Sequence, residues 1–215
     1  MRRITREEYP IDTLQRIVNG VTFFKDLIQT DPTQFELLMS VTQFVTADEN
    51  EIVLHRGEDA NVLYFLLKGQ LAVMSNDNDQ DIINTINPGE MFGVMAMVMK
   101  SKRSASIKVG GRSVLLAGID YHHFNDLKDF TLFSLQTKIS FFRMLSNHIR
   151  WTLEQNKMQI PDHPLVARLR KLPLYSGEKN TPEELEFLFE QAHILADLLC
   201  EWNESLNSGG SWHQF

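Results

Sequence analysis

The chain has 215 residues, 43% hydrophobic and 23% charged, which excludes a disordered polyelectrolyte and leaves room for one ordinary domain plus a substantial appendage. Its formal net charge of -7 argues against general affinity for nucleic acid or anionic lipid, since both want a basic surface. The single cysteine, Cys200, rules out a disulfide framework and fits a reducing, cytoplasmic compartment.

The opening Met1-Arg2-Arg3-Ile4-Thr5-Arg6-Glu7-Glu8 is basic and then acidic with no apolar core behind it, unlike a secretory signal. From 11 to about 45 the pattern is helical: Leu14, Ile17, Val18, Val21, Phe24, Leu27 and Ile28 recur at spacings of three and four. Asp31-Pro32 marks a fresh start, with Asp as cap and Pro in the first turn, for a shorter helix carrying Phe35, Leu37, Leu38 and Met39. From Thr42 to Ile119 the texture changes to short apolar runs with turn punctuation. Runs at 52–54, 62–67, 70–74, 82–86, 104–109 and 113–117 read as strands. They are broken at Arg56-Gly57-Glu58-Asp59, Lys68-Gly69, Asn76-Asp77-Asn78-Asp79, Asn87-Pro88-Gly89 and Gly110-Gly111. So many short strands predict a compact antiparallel beta-roll, of the barrel or jelly-roll kind, within an α+β fold. The most apolar stretch, 62–74, is interrupted by Lys68-Gly69-Gln70 and is too short to cross a bilayer, so no membrane association is expected.

From 121 to about 158 helical periodicity returns. Leu132, Leu135, Ile139, Phe142, Leu145, Ile149 and Leu153 form one seam, broadened by Phe130, Phe133 and Phe141. So wide a stripe exceeds what a small roll can cover and predicts packing against a second copy in a homodimer; the alternative is that the N-terminal helices cover the surplus within one chain. Ile160-Pro161-Asp162-His163-Pro164 ends that helix as a hinge. A short helix is expected over 165–172. A better-marked one starts at Thr181-Pro182-Glu183-Glu184, which combines a cap, a first-turn Pro and an acidic capping box. Its buried face is predicted to be Leu185, Leu188, Ala192, Leu195, Leu199 and Trp202, and the residues from Ser208 on are expected to fray. The expected organisation is therefore N-terminal helices over 1–41, the roll over 42–120, a long dimerising helix over 121–159 and a helical C-terminal extension over 160–215.

The most informative stretch is Pro88-Gly89-Glu90-Met91-Phe92-Gly93-Val94-Met95-Ala96-Met97, followed by Arg103-Ser104-Ala105-Ser106. It has the form of a phosphate cradle. Gly93 lets the backbone approach an anion, the amides after it open a short helix, and Arg103 can close the site with a planar, doubly donating guanidinium. An arginine between Lys102 and Ser104 at a strand start is equally well a solvated surface charge; if buried without an anion it needs a carboxylate such as Glu58 or Glu90. Met91, Met95, Met97 and Met99 would suit an adaptable lining, although methionines at this spacing more often serve ordinary packing.

These residues resemble the cyclic nucleotide-binding domain family, the beta-roll sensors of the catabolite activator type and of kinase and channel regulators. Gly57-Glu58-Asp59-Ala60-Asn61-Val62-Leu63-Tyr64-Phe65-Leu66-Leu67-Lys68-Gly69-Gln70-Leu71-Ala72-Val73 is similar to the family's glycine-punctuated hairpin with its aromatic strand, and 88–106 is similar to its phosphate-binding cassette. The resemblance runs from about Phe35 to Leu153. It implies that the amides near Met95 and Ala96, the Ser104 hydroxyl and Arg103 hold a cyclic phosphate, with Gly93 and Val94 completing the site. It also implies an acidic residue just after the cassette glycine, to accept from the ribose 2′-hydroxyl. Val94 stands there and accepts nothing. Stranding that hydroxyl costs about 1.5–3 kcal/mol, roughly ten- to over a hundredfold in affinity. A cyclic nucleotide or another anionic ligand is thus the expected guest; no other cofactor is expected.

Enzymatic readings find little support. The seven histidines are spread over different elements, and the adjacent His122 and His123 should diverge in direction and serve a roll-to-helix corner. Cys200 lacks a visible base and is read as a structural thiol. A helix-turn-helix after the long helix would need a basic recognition surface. Past Arg168, Arg170 and Lys171 the extension is acidic, with Glu178, Glu183, Glu184, Glu186, Glu190, Asp197, Glu201 and Glu204, so nucleic-acid binding is not expected. The sequence therefore predicts a non-enzymatic regulatory protein whose extension meets a protein partner. The alternatives are a ligand-free interaction scaffold on the same fold or a diverged transcription regulator.

Overall fold

The computed structural model describes residues 1–4, 8–74 and 82–208, which fall into two compact units, 1–125 and 126 onward. The expected turn at Asn76–Asp79 and the tail from Gly209 lie outside the described residues.

In the first unit the strands β1 (Arg2–Arg3), β2 (Gln43–Asp48), β3 (Ile52–Leu54), β4 (Val62–Lys68), β5 (Leu71–Met74), β6 (Ile82–Ile86), β7 (Met91–Phe92), β8 (Ser106–Val109) and β9 (Ser113–Asp120) form two antiparallel sheets. One runs β1-β2-β9-β4-β7 and the other β3-β8-β5-β6. They are open sheets and not the closed barrel that the strand spacing also allowed. Their facing surfaces bury Val45 and Ala47 from β2, Leu66 from β4, Leu71 from β5, Ile107 and Val109 from β8, and Val114 and Leu116 from β9. Period-two alternation places Leu63 and Phe65 on the opposite face of β4, where the Phe65 ring meets Phe24 edge-on at 5.4 Å.

The N-terminal segment holds three helices, α1 (Ile11–Val18), α2 (Thr22–Thr30) and α3 (Pro32–Val41). The single pattern over 11–28 breaks at Asn19-Gly20, where the chain tightens through Gly20 N–H donating to Ile17 O at 3.0 Å. Asp31 caps α3 as its sequence demands, accepting from Gln34 N–H at 3.1 Å with Pro32 in the first turn. The helical reading of 42–45 fails. Thr42 closes α3 by donating from its hydroxyl to Leu38 O at 2.7 Å, and Gln43 onward pairs with β9 as a strand. The short β7 and β1 were also absent from the sequence reading.

After β9 the chain forms α5 (His122–Asn125); the cassette helix α4 (Val94–Val98) precedes it. The second unit begins with a non-helical stretch, then α6 (Leu135–Gln159), α7 (Val166–Lys171) and α8 (Pro182–Ser208). The predicted uninterrupted helix from 121 is therefore split. Asp126 accepts from Lys128 N–H at 2.9 Å, and Asp129 accepts from Thr131 N–H at 2.9 Å, local bonds that compete with helix until Ser134 caps α6. The Lys138 ammonium, on a residue only 1% exposed, turns back from the first turn of α6 to donate to Asp126 O at 2.6 Å.

The wide apolar seam of α6 is covered by α8 of the same chain. Phe142 packs edge-on against Phe189 at 5.2 Å, Ser146 donates to Leu188 O at 3.1 Å, and Arg143 pairs with Glu184 at 2.6 Å. Ile139, Phe142, Leu145, Ile149 and Leu153 are all buried in one chain. The surplus that suggested a second copy is thus accounted for by neither of the two coverings foreseen. The predicted buried face of α8, Leu185 through Trp202, is buried as expected, and Thr181 Oγ1 accepts from Glu184 N–H at 3.3 Å. The reciprocal arm of the capping box lands one residue early, with Glu184 accepting from Asn180 N–H at 2.6 Å.

Candidate functional site

The candidate site is built where β7 gives way to α4. Gly93 occupies the left-handed region (φ +80°) and turns the chain from strand into helix. Arg103 lies directly over it: a Cβ added at Gly93 would sit 2.4 Å from Arg103 Nη1. The glycine is therefore required twice, for its backbone angle and for the space that the guanidinium fills.

Arg103 is 6% exposed. Its backbone is strapped to the Gly57-Glu58 turn, donating to Glu58 O and accepting from Gly57 N–H, both at 2.9 Å. Its Nη1 donates to Gly93 O at 2.7 Å and its Nη2 to Val62 O at 2.9 Å, while Nε is buried with no partner among the described residues. Neither carboxylate named from the sequence pairs with it. Glu90 accepts from Asn87 N–H at 2.6 Å in its own turn, and Glu58 accepts from His55 N–H at 3.2 Å. Burial lowers the Arg103 pKa, opposed by Tyr64 and Glu58 nearby, yet a guanidinium stays charged at any physiological pH.

Of the other predicted site residues, Val94 opens α4 and is 3% exposed, so its isopropyl group is part of the packed wall. Ala96 is buried and Met95 half-buried. The amides of Val94, Met95 and Ala96 begin the helix and have no partner among the described residues. Ser104 is exposed; the anchoring hydroxyl nearby is Ser106, whose Oγ accepts from Arg56 N–H at 3.0 Å. Structure thus brings Gly93, Val94 and Arg103 together, while Met97 joins the core.

Sequence reasoning passed over Tyr64. Its ring stacks on Phe92 at 5.4 Å with 16° between planes, and its other neighbour is Gly118 of β9, where an added Cβ would come within 3.0 Å of Tyr64 Cε1. A lone glycine inside an apolar strand signals such an approach, and Gly118 in 113–120 was that signal.

At the roll-to-helix corner, His122 and His123 do not diverge as expected: their rings lie 3.8 Å apart, because α5 is a single turn with both side chains folded back beside Asp120. His122 Nδ1 meets Asp120 at 2.8 Å. Burial tends to raise the Asp120 pKa, but hydrogen bonds from the His122 backbone and ring outweigh it and hold the carboxyl below its usual range. Among the described residues no group of three or more His, Cys, Asp or Glu side chains is placed to hold a metal ion. Cys200 is half-buried, and burial, then Glu204 and Asp197, push its thiol pKa up, away from a reactive thiolate.

Residues 44–129 match the family described as the cyclic nucleotide-binding domain. The match covers the roll and the short segment that follows it. Over 81 residues the chain is 31% identical to the cAMP-dependent protein kinase type II regulatory subunit of Drosophila melanogaster, covering 37% of this chain and 22% of that protein. Over 121 residues it is 25% identical to a cGMP-dependent protein kinase of Eimeria tenella, covering 56% of this chain and 12% of the kinase. The chain therefore spans less than a quarter of either relative. Among solved structures, the regulatory subunit of a cAMP-independent protein kinase A from Trypanosoma brucei superposes with a TM-score of 0.50 at 17% identity, covering 68% of this chain and 49% of that one. At that identity the likeness speaks for the fold. Among the described residues no helix is long and apolar enough to cross a membrane.

Proposed function

We propose that the chain is a non-catalytic, cytoplasmic regulatory protein whose roll senses a phosphate-bearing small molecule at Arg103, a cyclic nucleotide or another anion. One observation carries this reading: a guanidinium 6% exposed that, among the described residues, has no carboxylate partner and no acceptor for its Nε. A buried cation in that state invites an anion, because the two carbonyls of Gly93 and Val62 offset its desolvation without neutralising its charge. The likeness of residues 44–129 to the cyclic nucleotide-binding domain supports a cyclic nucleotide. The buried Val94 argues for a weakened grip on its ribose, since its side chain offers no acceptor. The α6–α8 unit is the output element. Its acidic α8 suits a protein partner better than nucleic acid. Self-association along α6 would use the exposed Trp151 and Met158, seven residues apart, and not the seam already buried by α8.

A specific observation favours a second reading. The two bonds from Arg103 to Gly93 O and Val62 O pin the cassette on β4, which is also what a ligand-free scaffold would retain. Calorimetric titration with cyclic AMP, cyclic GMP and cyclic dinucleotides separates the two. Heat that disappears in a folded Arg103→Ala variant supports the sensor, and silence with every nucleotide supports the scaffold.

A further inference from the structure

Arg103 is not alone at the candidate site. Tyr64 lies two residues from Val62 on β4, and the Val62 carbonyl receives Arg103 Nη2 at 2.9 Å, which holds the guanidinium beside this part of the strand and close enough for its charge to act on the Tyr64 phenol. The Tyr64 ring cannot swing freely. Phe92, immediately before Gly93, stacks on it at 5.4 Å, and Gly118 of β9 leaves only enough room for its edge. A ring fixed between these neighbours holds its hydroxyl at a set position, and that hydroxyl has no hydrogen-bond partner among the described residues. Such a phenol is a donor in waiting.

We propose that the Tyr64 hydroxyl is a second hydrogen-bond donor to the anion bound at Arg103, with Phe92 and Gly118 acting as positioning residues for it. The inference rests on the reading of Arg103 as the anion's seat. It names an oxyanion as the guest, because only a group with several acceptor lone pairs can take the free guanidinium hydrogens and a phenol together. Burial raises the Tyr64 pKa, opposed by the Arg103 charge and reinforced by Glu58, so the phenol keeps its proton at neutral pH and is available to donate. The neighbourhood also explains why a tyrosine stands in an otherwise apolar strand: phenylalanine would fill the same slot between Phe92 and Gly118 equally well.

The test is calorimetric titration of the full chain with cyclic AMP and cyclic GMP, comparing wild type, Tyr64→Phe and Arg103→Ala. Tyr64→Phe keeps the stacked ring, so its melting temperature should match wild type, while affinity falls about ten- to a hundredfold, the size of one hydrogen bond to a charged acceptor. The ¹³Cζ resonance of Tyr64 should shift on addition of the tighter nucleotide. Unchanged affinity in Tyr64→Phe alongside lost binding in Arg103→Ala overturns this proposal and leaves the Arg103 reading standing. No heat in wild type with either nucleotide overturns the cyclic nucleotide reading of the seat and this proposal together.

Discussion

Replacing Gly93 by alanine tests whether the guanidinium belongs over the cassette turn. At φ +80° alanine is strained, by about 1 kcal/mol against glycine. Its Cβ would also lie 2.4 Å from Arg103 Nη1, so the guanidinium has to leave. Departure breaks the bonds to Gly93 O and Val62 O, each a hydrogen bond from a charged donor with a net value of about 1.5–3 kcal/mol. Part of that is recovered because the freed cation regains water, which leaves an expected loss of about 2–4 kcal/mol in all. Urea unfolding followed by far-UV circular dichroism suits the measurement, since no tryptophan falls between residues 42 and 120. The decisive comparison is a double-mutant cycle. In an Arg103→Ala background Gly93→Ala should cost only the backbone strain, about 1 kcal/mol, giving a coupling of about 1–3 kcal/mol. An equal cost in both backgrounds would refute the placement of Arg103.

The remaining predictions concern affinity, pH and assembly. Val94→Glu should tighten cyclic AMP binding about ten- to a hundredfold while leaving 2′-deoxy cyclic AMP unchanged, and an equal gain for both would show that the new carboxylate does not meet the ribose. His163 accepts from Leu165 N–H through Nδ1 at 3.2 Å, approaches Ser205 Oγ at 2.8 Å through Nε2 and stacks on Trp202 at 4.0 Å. Burial lowers its pKa below the ordinary imidazole value, so the unfolded chain binds the proton first. Stability should therefore fall as pH drops from that ordinary value through the lower folded one, and His163→Gln should flatten this part of a melting-temperature profile against pH. Lys138→Met should speed hydrogen exchange at the Lys128 and Thr131 amides, whose loop the buried ammonium holds through Asp126 O. Sedimentation velocity of Trp151→Glu should show a smaller species than wild type if α6 mediates self-association.

The sequence told most about elements whose signals are local. Asp31-Pro32, Thr181-Pro182 and the glycine-broken strand runs are each read within a few residues, and each stands where predicted. It misled where side-chain bonds override periodicity: the aspartates at 126 and 129 interrupt a pattern that looks continuous because Phe130 and Phe133 fall in helical phase. The strand at 43–48 was hidden because Phe44 and Val45 continue the phase of α3, and only pairing with β9 decides their state. At the site, Gly93 and Arg103 were legible as a spacing, yet the failure of Glu58 and Glu90 to pair with the guanidinium was not. Glu58 and Glu90 are close in sequence to the right places and are spent on their own turns. Tyr64 was invisible because its significance depends on a glycine 54 positions away on a different strand.

The cover that α8 gives α6 has a practical consequence for anyone dividing the chain. A fragment ending near Ile160 would bear Phe142, Leu145, Ile149 and Leu153 stripped of their lid, a greasy flank about 17 Å long. Such a piece would clump or pair adventitiously, and an oligomer seen with it would reflect the cut and not the intact molecule.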